Sequence, residues 1–542
     1  MNINYVIFCI CIPSLFFAQE KYVSKLQVES SYLQQQAIVR IGNSICDNEV
    51  TYIAKRKSKV KDSLEQLLQM NISDNEIPTI AFCGSGGGYR AMVSMLGTLN
   101  GVDLSHAQKK HTLNIIDSII NAALTFYEQL YPTTITIEPD TYPTLGLLDI
   151  CTYAAGVSGS AWGLAALLQS HKTINVYLTQ LAESLHEKHL LDDVNLDEVI
   201  ASLLKKYSHH QPLSLIDLYG AILAQKILKN AGNTNPNAID LAAQQLDLVD
   251  GSSPFPIYTA ITGNTPFYSW IEFNPYEIGG ADLNAYIPSW AFGRQFNNGV
   301  SVDCNPPQTL GYGLGIWGSG ITADIKEFFE IYVKPVTGEI IDNYFGEPER
   351  TEVVRSAQVD AIWDYRLLSP AKVYNWSYKL SAAGLNDYQY LTLIDAGLYN
   401  NLPLIPLLNR NRSIDIIIIF DAGFGESGSQ LLLTQHYAHD HNIPFPVINT
   451  ALLNQICSVH NDTENPKAPL IIYFPLMRNA AYLNGWDPYE QSFSSTYNFH
   501  YTIEQVQQLS GLATFNVQSN QTIIIETIRQ WIFNRRSQRH SH

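Results

Sequence analysis

Short apolar runs, each about the length of a strand, recur along this chain with small residues at their ends and helical patterns behind them. Residues 77–83 are apolar and break at Gly84-Ser85-Gly86-Gly87-Gly88-Tyr89-Arg90, after which 91–96 continues as a helix. Residues 147–153 form a second run, predicted to be a buried strand. It leads through Ala154-Ala155-Gly156-Val157-Ser158-Gly159-Ser160-Ala161-Trp162 into a helix over 163–168. Helices are predicted at 174–191, 196–207 and 215–230, and strands at 256–262 and 268–279. After a further helix at 322–332 and a polar stretch reaching about residue 358, two more apolar runs, 390–395 and 414–420, each lead into Asp-Ala-Gly. Ahead of all these, residues 22–70 read as a polar helix carrying Lys55-Arg56-Lys57-Ser58-Lys59-Val60-Lys61. For that basic run a solvated helix face is expected in preference to a lipid headgroup contact.

Composition narrows the functions open to such a chain. Its 542 residues are 46% hydrophobic, enough for a substantial core. Asp and Glu outnumber Lys and Arg by 50 to 33, and the net charge of -17 argues against nucleic acid and against simple adhesion to an anionic membrane. Any membrane contact must then be local and largely apolar. Residues 5–18 are apolar, too short to span a bilayer and of signal-peptide length. Residues 1–18 are therefore expected to be a signal peptide, giving a secreted, lumenal or periplasmic protein. The alternative is a buried N-terminal element in a cytoplasmic protein with peripheral membrane association. Beyond that segment Cys46, Cys83, Cys151, Cys304 and Cys457 are odd in number and widely spaced, which is neither a disulfide framework nor a Cys-x-x-Cys metal pair. His186, His189, His209 and His210 lack metal-ligand spacing and read as solvated, so no metal is expected.

The candidate chemistry centres on Ser158. Glycines on both sides allow a strained bend between strand and helix, which lifts the hydroxyl above the sheet with a helix N-terminus behind it. Ser160 stands where a third glycine is usual. The loop at 84–90 lacks Gly-x-Gly-x-x-Gly spacing and a following Lys-Ser/Thr pair, so a nucleotide cofactor is not expected. Its consecutive glycines instead allow two backbone N–H groups to converge on one point, as a tetrahedral oxyanion requires. Arg90 adds a fixed charge able to hold a phosphate. A serine hydroxyl needs a base. Asp395 or Asp421, each following an apolar run, would serve directly. Alternatively an aspartate and one of His436, His439, His441, His460 or His500 would complete a Ser-His-Asp triad.

The glycine loop, the segment from Gly146-Leu147-Leu148-Asp149 through Trp162, and further ordered motifs resemble the catalytic domain of the cytosolic phospholipase A2 family. That family is related to fungal phospholipase B (lysophospholipase) and more distantly to patatin. The further motifs are Cys46-Asp47, Asp217-Leu218-Tyr219-Gly220, Glu272-Phe273-Asn274-Pro275-Tyr276-Glu277-Ile278-Gly279, Leu314-Gly315-Ile316-Trp317-Gly318-Ser319, Asp395-Ala396-Gly397 with Asn401-Leu402-Pro403, Phe515-Asn516 and Arg535-Arg536. The resemblance spans roughly residues 40–537. It implies an α/β fold with a central mixed β-sheet, flanking helices and a cap over the cleft. It also implies a dyad of Ser158 as nucleophile and Asp395 as base, with Gly87 and Gly88 as oxyanion amides and Arg90 contacting substrate phosphate. Asp421 falls at the position of a family aspartate that is not the base.

The implied activity is hydrolysis of fatty-acyl esters of phospholipids or lysophospholipids at a membrane or micelle surface, through an acyl-serine and with no cofactor. One catalytic domain over 40–537 is expected, with an insertion near 106–144, a cap or lid near 320–385 and no C2 domain, so catalysis should be calcium-independent. Trp290, Phe292 and Trp317 are expected to pack in the core rather than line an acyl groove. A triad lipase or carboxylesterase and a catalytically inactive lipid-binding protein are the other readings. No protein partner is implied.

Overall fold

The structure, a computed structural model, describes residues 35–101, 145–170, 172–186, 194–229, 231–232, 235–263, 268–321 and 370–540. The expected signal segment, the 106–144 insertion and most of the expected cap, 322–369, lie outside the described residues. Among those described, twelve strands form one sheet and two form a separate hairpin. In chain order they are β1 (Arg40–Ile41), β2 (Ile80–Gly84), β3 (Tyr153–Gly156), β4 (Phe255–Thr262), β5 (Ser269–Phe273), β6 (Glu277–Gly280), β7 (Ala285–Pro288), the hairpin β8 (Phe296–Asn297) and β9 (Val300–Ser301), β10 (Ala371–Tyr374), β11 (Tyr390–Asp395), β12 (Ile416–Asp421), β13 (Ser458–His460) and β14 (Leu470–Pro475). The order across the sheet is β1-β7-β6-β5-β4-β3-β2-β12-β14-β13, with β11 against β4 and β10 against β11. Strands β4, β3, β2, β12 and β14 are mutually parallel and their neighbours antiparallel, so the sheet is mixed, as expected.

The α-helices are α1 (Asp47–Leu68), α2 (Gly88–Gly101), α3 (Gly159–Ser170), α4 (Ile174–Leu185), α5 (Leu196–Ser208), α6 (Leu215–Ile227), α7 (Leu310–Trp317), α8 (Leu404–Leu407), α9 (Ser429–Asp440) and α10 (Ile503–His540). The parallel strands are buried at every position and largely apolar, because both their faces are covered. Ile80, Phe82, Ala154, Ile416, Ile418, Ile472 and Phe474 point into one core with residues of α2, α3 and α10. Ala81, Cys83, Tyr153, Ala155, Ile417, Ile419 and Ile471 point into a second core with Leu404, Leu407, Leu431 and Ala438.

Several predicted elements shift for identifiable reasons. The run at 147–153 is a 3₁₀ turn, Leu147–Ile150, followed by the shorter β3. The Asp149 carboxylate accepts the Gly146 N–H at 2.7 Å and closes that turn. Arg56 then binds the carbonyls of Leu148, Asp149 and Cys151, together with those of Gly251 and Ser252 ahead of β4. Arg56 is 1% exposed, so it does not belong to the solvated face expected for the basic run, whereas Lys55, Lys57 and Lys59 do. The predicted strand at 268–279 is two strands, because the Asn274 carboxamide oxygen accepts the N–H groups of Tyr276 and Glu277 and turns the chain. Ala371–Tyr374, at the end of the stretch expected to be a cap, is a sheet strand paired with β11.

A buried ion cluster fixes α1 to the sheet. Arg412 binds Glu49 through Nε at 2.8 Å and Glu272 through Nη1 at 2.7 Å, and Tyr153 donates to Glu49 at 3.1 Å. Removing either acid would leave a buried guanidinium short of its partners.

Candidate active site

Ser158 lies two residues beyond β3, immediately before α3. Its φ of 49° is in the left-handed region that non-glycine residues rarely occupy, so the bend is strained. The Val157 N–H donates to Gly84 O (3.3 Å), tying the bend to the end of β2. A Cβ at Gly159 would lie 2.0 Å from Gly88 O, so only glycine lets the neighbouring loop settle onto this bend. The departure at Ser160 has its counterpart in Gly84, whose absent side chain would otherwise meet Ser160 Cβ at 2.8 Å.

Sheet register explains how a base reaches this serine. Along β4, Phe255 to Tyr258 pair with β3 in parallel, ending at Gly156↔Tyr258. Two residues further on, β11 occupies the same flank of β4 in the opposite direction, with Asp395↔Ala260. Strands β3 and β11 therefore share one lane and run towards each other, and their C-terminal ends meet across Thr259. The Thr259 hydroxyl donates to Gly156 O at 3.2 Å. The expectation that β11 carries its aspartate at the carboxyl end holds, but the strand enters from the opposite direction to the parallel strands.

The Asp395 carboxylate is 4% exposed and accepts Gly397 N–H at 2.8 Å and Gly320 N–H at 3.3 Å. Its own N–H donates to the Ser319 hydroxyl at 2.8 Å. Burial pushes its pKa up to about 6, against the lowering effect of bonds from Gly397, the Ser158 side chain and Gly320. No histidine is among these influences.

The glycine loop spends some of its amides and leaves others. Ser85 N–H donates to Phe420 O (3.0 Å) and Gly86 N–H to Asn401 O (3.2 Å). Among the described residues no hydrogen bond takes the Gly87 or Gly88 N–H. Gly87 has φ 139° and Gly88 φ 60°, and a Cβ at Gly88 would stand 2.3 Å from Thr496 O. Arg90 is 1% exposed. Its Nε and Nη2 donate to Ala422 O (3.0 and 2.9 Å), and its Nη1 donates to Ser494 O (2.7 Å) and Thr496 Oγ1 (3.2 Å). At most one Nη2 N–H remains for a substrate phosphate, beside Gly87, whose Cβ position is 2.5 Å from that nitrogen.

The other candidates are placed elsewhere. Asp421 is buried at the end of β12, bonded to Gly423 N–H and Tyr473 OH at 2.8 Å each. His436 and His439 are exposed and pair with Asp440, His441 contacts Tyr437 O, and His460 bonds Ser458 and the Asn449 N–H. Trp317 is fully buried and stacks on Tyr258 at 4.2 Å, and Phe292 packs edge-on to Phe273. Both are core residues, as expected, while Trp290 is half-buried beneath Arg294. Sequence reasoning assigned no role to Ser319, Gly320 or Asn401, although the quoted motifs contain two of them.

A model of the lysophospholipase catalytic domain matches residues 138–431, more than half of the chain. The chain belongs to that family. Among curated relatives it is similar to cytosolic phospholipase A2 zeta of Mus musculus, 24% identical over 506 residues that cover 81% of this chain and 54% of that protein. It is also similar to cytosolic phospholipase A2 epsilon of Mus musculus, 25% identical over 587 residues, covering 93% and 61%. The chain thus spans between about half and two thirds of the length of these relatives. Among solved structures it shares the fold of human GIVD cytosolic phospholipase A2, with a TM-score of 0.69 at 21% identity over 91% of this chain and 68% of that one. The same human protein in complex with methyl gamma-linolenyl fluorophosphonate gives a TM-score of 0.65. Among the described residues no helix is long and apolar enough to cross a membrane.

Proposed function

We propose that this protein hydrolyses fatty-acyl esters of glycerophospholipids and lysophospholipids through a Ser158–Asp395 dyad. The observation that carries the reading is that β3 and β11 meet end to end along β4, bringing the strained Ser158 bend to the buried Asp395 carboxylate, beside two glycine amides that no hydrogen bond takes among the described residues. Family membership supports a phospholipid ester as substrate.

Asp395 takes the hydroxyl proton as Ser158 Oγ bonds to the acyl carbon. The Gly87 and Gly88 N–H groups receive the oxyanion. The ester C–O bond then breaks, and the departing glycerol oxygen takes the proton from Asp395. Water gives a proton to Asp395 as its oxygen attacks the acyl-serine. That proton returns to Ser158 as the fatty acid leaves. Arg90 acts first as the anchor of the glycine loop and meets substrate phosphate through its one remaining N–H. Of the two locations expected, the cytoplasmic one with peripheral lipid contact agrees with the relatives' names, and the secreted one has no support from them.

Purified protein given diacyl and lyso phospholipids in the presence of a chelator should release fatty acid. Ser158→Ala should abolish both this release and labelling by a fluorophosphonate probe. Retained activity in that variant would sink the dyad. Loss of activity on replacing a late histidine, with Asp395→Asn still active, would establish the triad instead.

A further inference from the structure

We propose that Asn401 is a positioning residue that locks the oxyanion loop to the turn bearing the base, an inference that rests on the Ser158–Asp395 reading. Asn401 lies six residues beyond Asp395, between the base turn and α8, and contacts Gly86 through both backbone and side chain. Its carbonyl accepts the Gly86 N–H (3.2 Å), and its Nδ2 donates to Gly86 O (3.0 Å). Its own N–H donates to Gln430 Oε1 (2.8 Å), which steadies the clamp from α9.

The carboxamide also fills a space that three neighbouring turns leave open. A Cβ at Gly86 would lie 2.3 Å from Asn401 Oδ1, one at Gly397 2.8 Å from the same oxygen, and one at Gly423 3.3 Å from Nδ2. The glycines of the oxyanion loop, the base turn and the Asp421 turn thus share one side chain as their spacer. The Gly86 Cβ position is also 2.9 Å from Ser158 Cβ, so the clamped peptide rests on the nucleophile's own residue. With both polar groups of Gly86 held, the next two amides have a fixed direction. Donors that need no reorganisation stabilise a developing charge best, and small misplacements are costly.

The test uses the full chain and a lysophospholipid in detergent micelles. Asn401→Ala should lower kcat about 10²-fold, the size of losing one oxyanion donor, with KM changed less than about threefold. Fluorophosphonate labelling of Ser158 should slow in parallel, and the thermal midpoint should stay within a few degrees. Asn401→Asp keeps the shape but turns the donor facing Gly86 O into an acceptor and brings a second negative charge near Asp395. It should therefore move the acid limb of the pH–rate profile upward as well as lower kcat, a shift that a merely structural role would not produce. Gln430→Ala, which removes only the outer support, should give a smaller loss of about fivefold in kcat and provides a readout should Asn401→Ala fail to fold. Normal kcat in Asn401→Ala, or normal kcat in Gln430→Ala with no pH shift in Asn401→Asp, overturns the inference. Activity persisting in Ser158→Ala would overturn the underlying dyad instead, so the two failures are distinguishable.

Discussion

The chain writes Asp-Ala-Gly twice, at 395–397 and 421–423, and folds the two copies alike. In each, the glycine N–H returns to the aspartate Oδ1 at 2.8 Å. What differs is the surroundings. Strand β12 lies inside the parallel group, between β2 and β14, and its aspartate is enclosed by neighbours that satisfy it: Tyr473 OH at 2.8 Å and the Ser85 hydroxyl. Its Ala422 carbonyl then holds Arg90, and Ala422 N–H donates to Ser85 Oγ (2.6 Å). Strand β11 enters β3's lane head-on, and its aspartate meets the strained serine. The same tripeptide is thus a loop support in one lane and the proposed base in the other. Lane and direction decide the chemistry, while the local turn is common to both.

The largest contrast should come from removing each carboxylate charge in turn. Asp395→Asn should reduce kcat by about 10⁴-fold without unfolding the protein, by analogy with removing other positioned bases. Asp421→Asn should instead cost about 1–3 kcal/mol of stability through disturbed buried hydrogen bonds, with activity of the folded protein kept within about tenfold. Fatty-acid release beside urea denaturation reads both, and the reverse pattern would exchange the two roles.

Arg90→Ala sharpens the comparison by asking what the second turn supports. If Arg90 chiefly anchors the glycine loop to Ala422, the loss should be about 10²-fold on phospholipid and on an uncharged acyl ester alike. Loss confined to the phospholipid would make substrate phosphate its main partner.

The sequence made the local units legible but not their relative placement. Glycines flanking Ser158 signalled a strained bend, and apolar runs marked β2, β4, β11 and β12, because burial on two faces leaves a continuous signature. The choice between Asp395 and Asp421 was not legible from pattern, since it depends on pairing to β4, a long-range register that short-range periodicity does not encode. The resemblance implies Asp395. Arg56 was misread for a related reason: within a basic run its charge looks solvated, and only the carbonyls gathered before β3 and β4 explain its burial. Those carbonyls lie at the N-terminal ends of the strands, opposite Ser158, which also gives the helix bearing the basic run no place at the mouth of the site.

The smallest effect is the pH dependence that the buried Asp395 gives to stability. With its folded pKa at about 6 and an unfolded value near 4, Asp395 retains its proton in the native chain over a window where the unfolded chain has released it. Between roughly pH 4 and 6 the folded state therefore binds more protons, so this group's contribution to stability falls as pH rises. Above pH 6 the penalty is complete and amounts to about 3 kcal/mol in order of magnitude. Because only the ionised carboxylate can take the serine proton, kcat/KM should fall about tenfold per unit below that same pH. Asp395→Asn has no proton to release. Relative to the parent it should be about equally stable near pH 4 and more stable by about 1–3 kcal/mol at pH 7, a difference readable by urea denaturation at the two pH values. An activity limb near pH 6 without that stability difference would mean that the group being titrated is not the buried carboxylate at the end of β11.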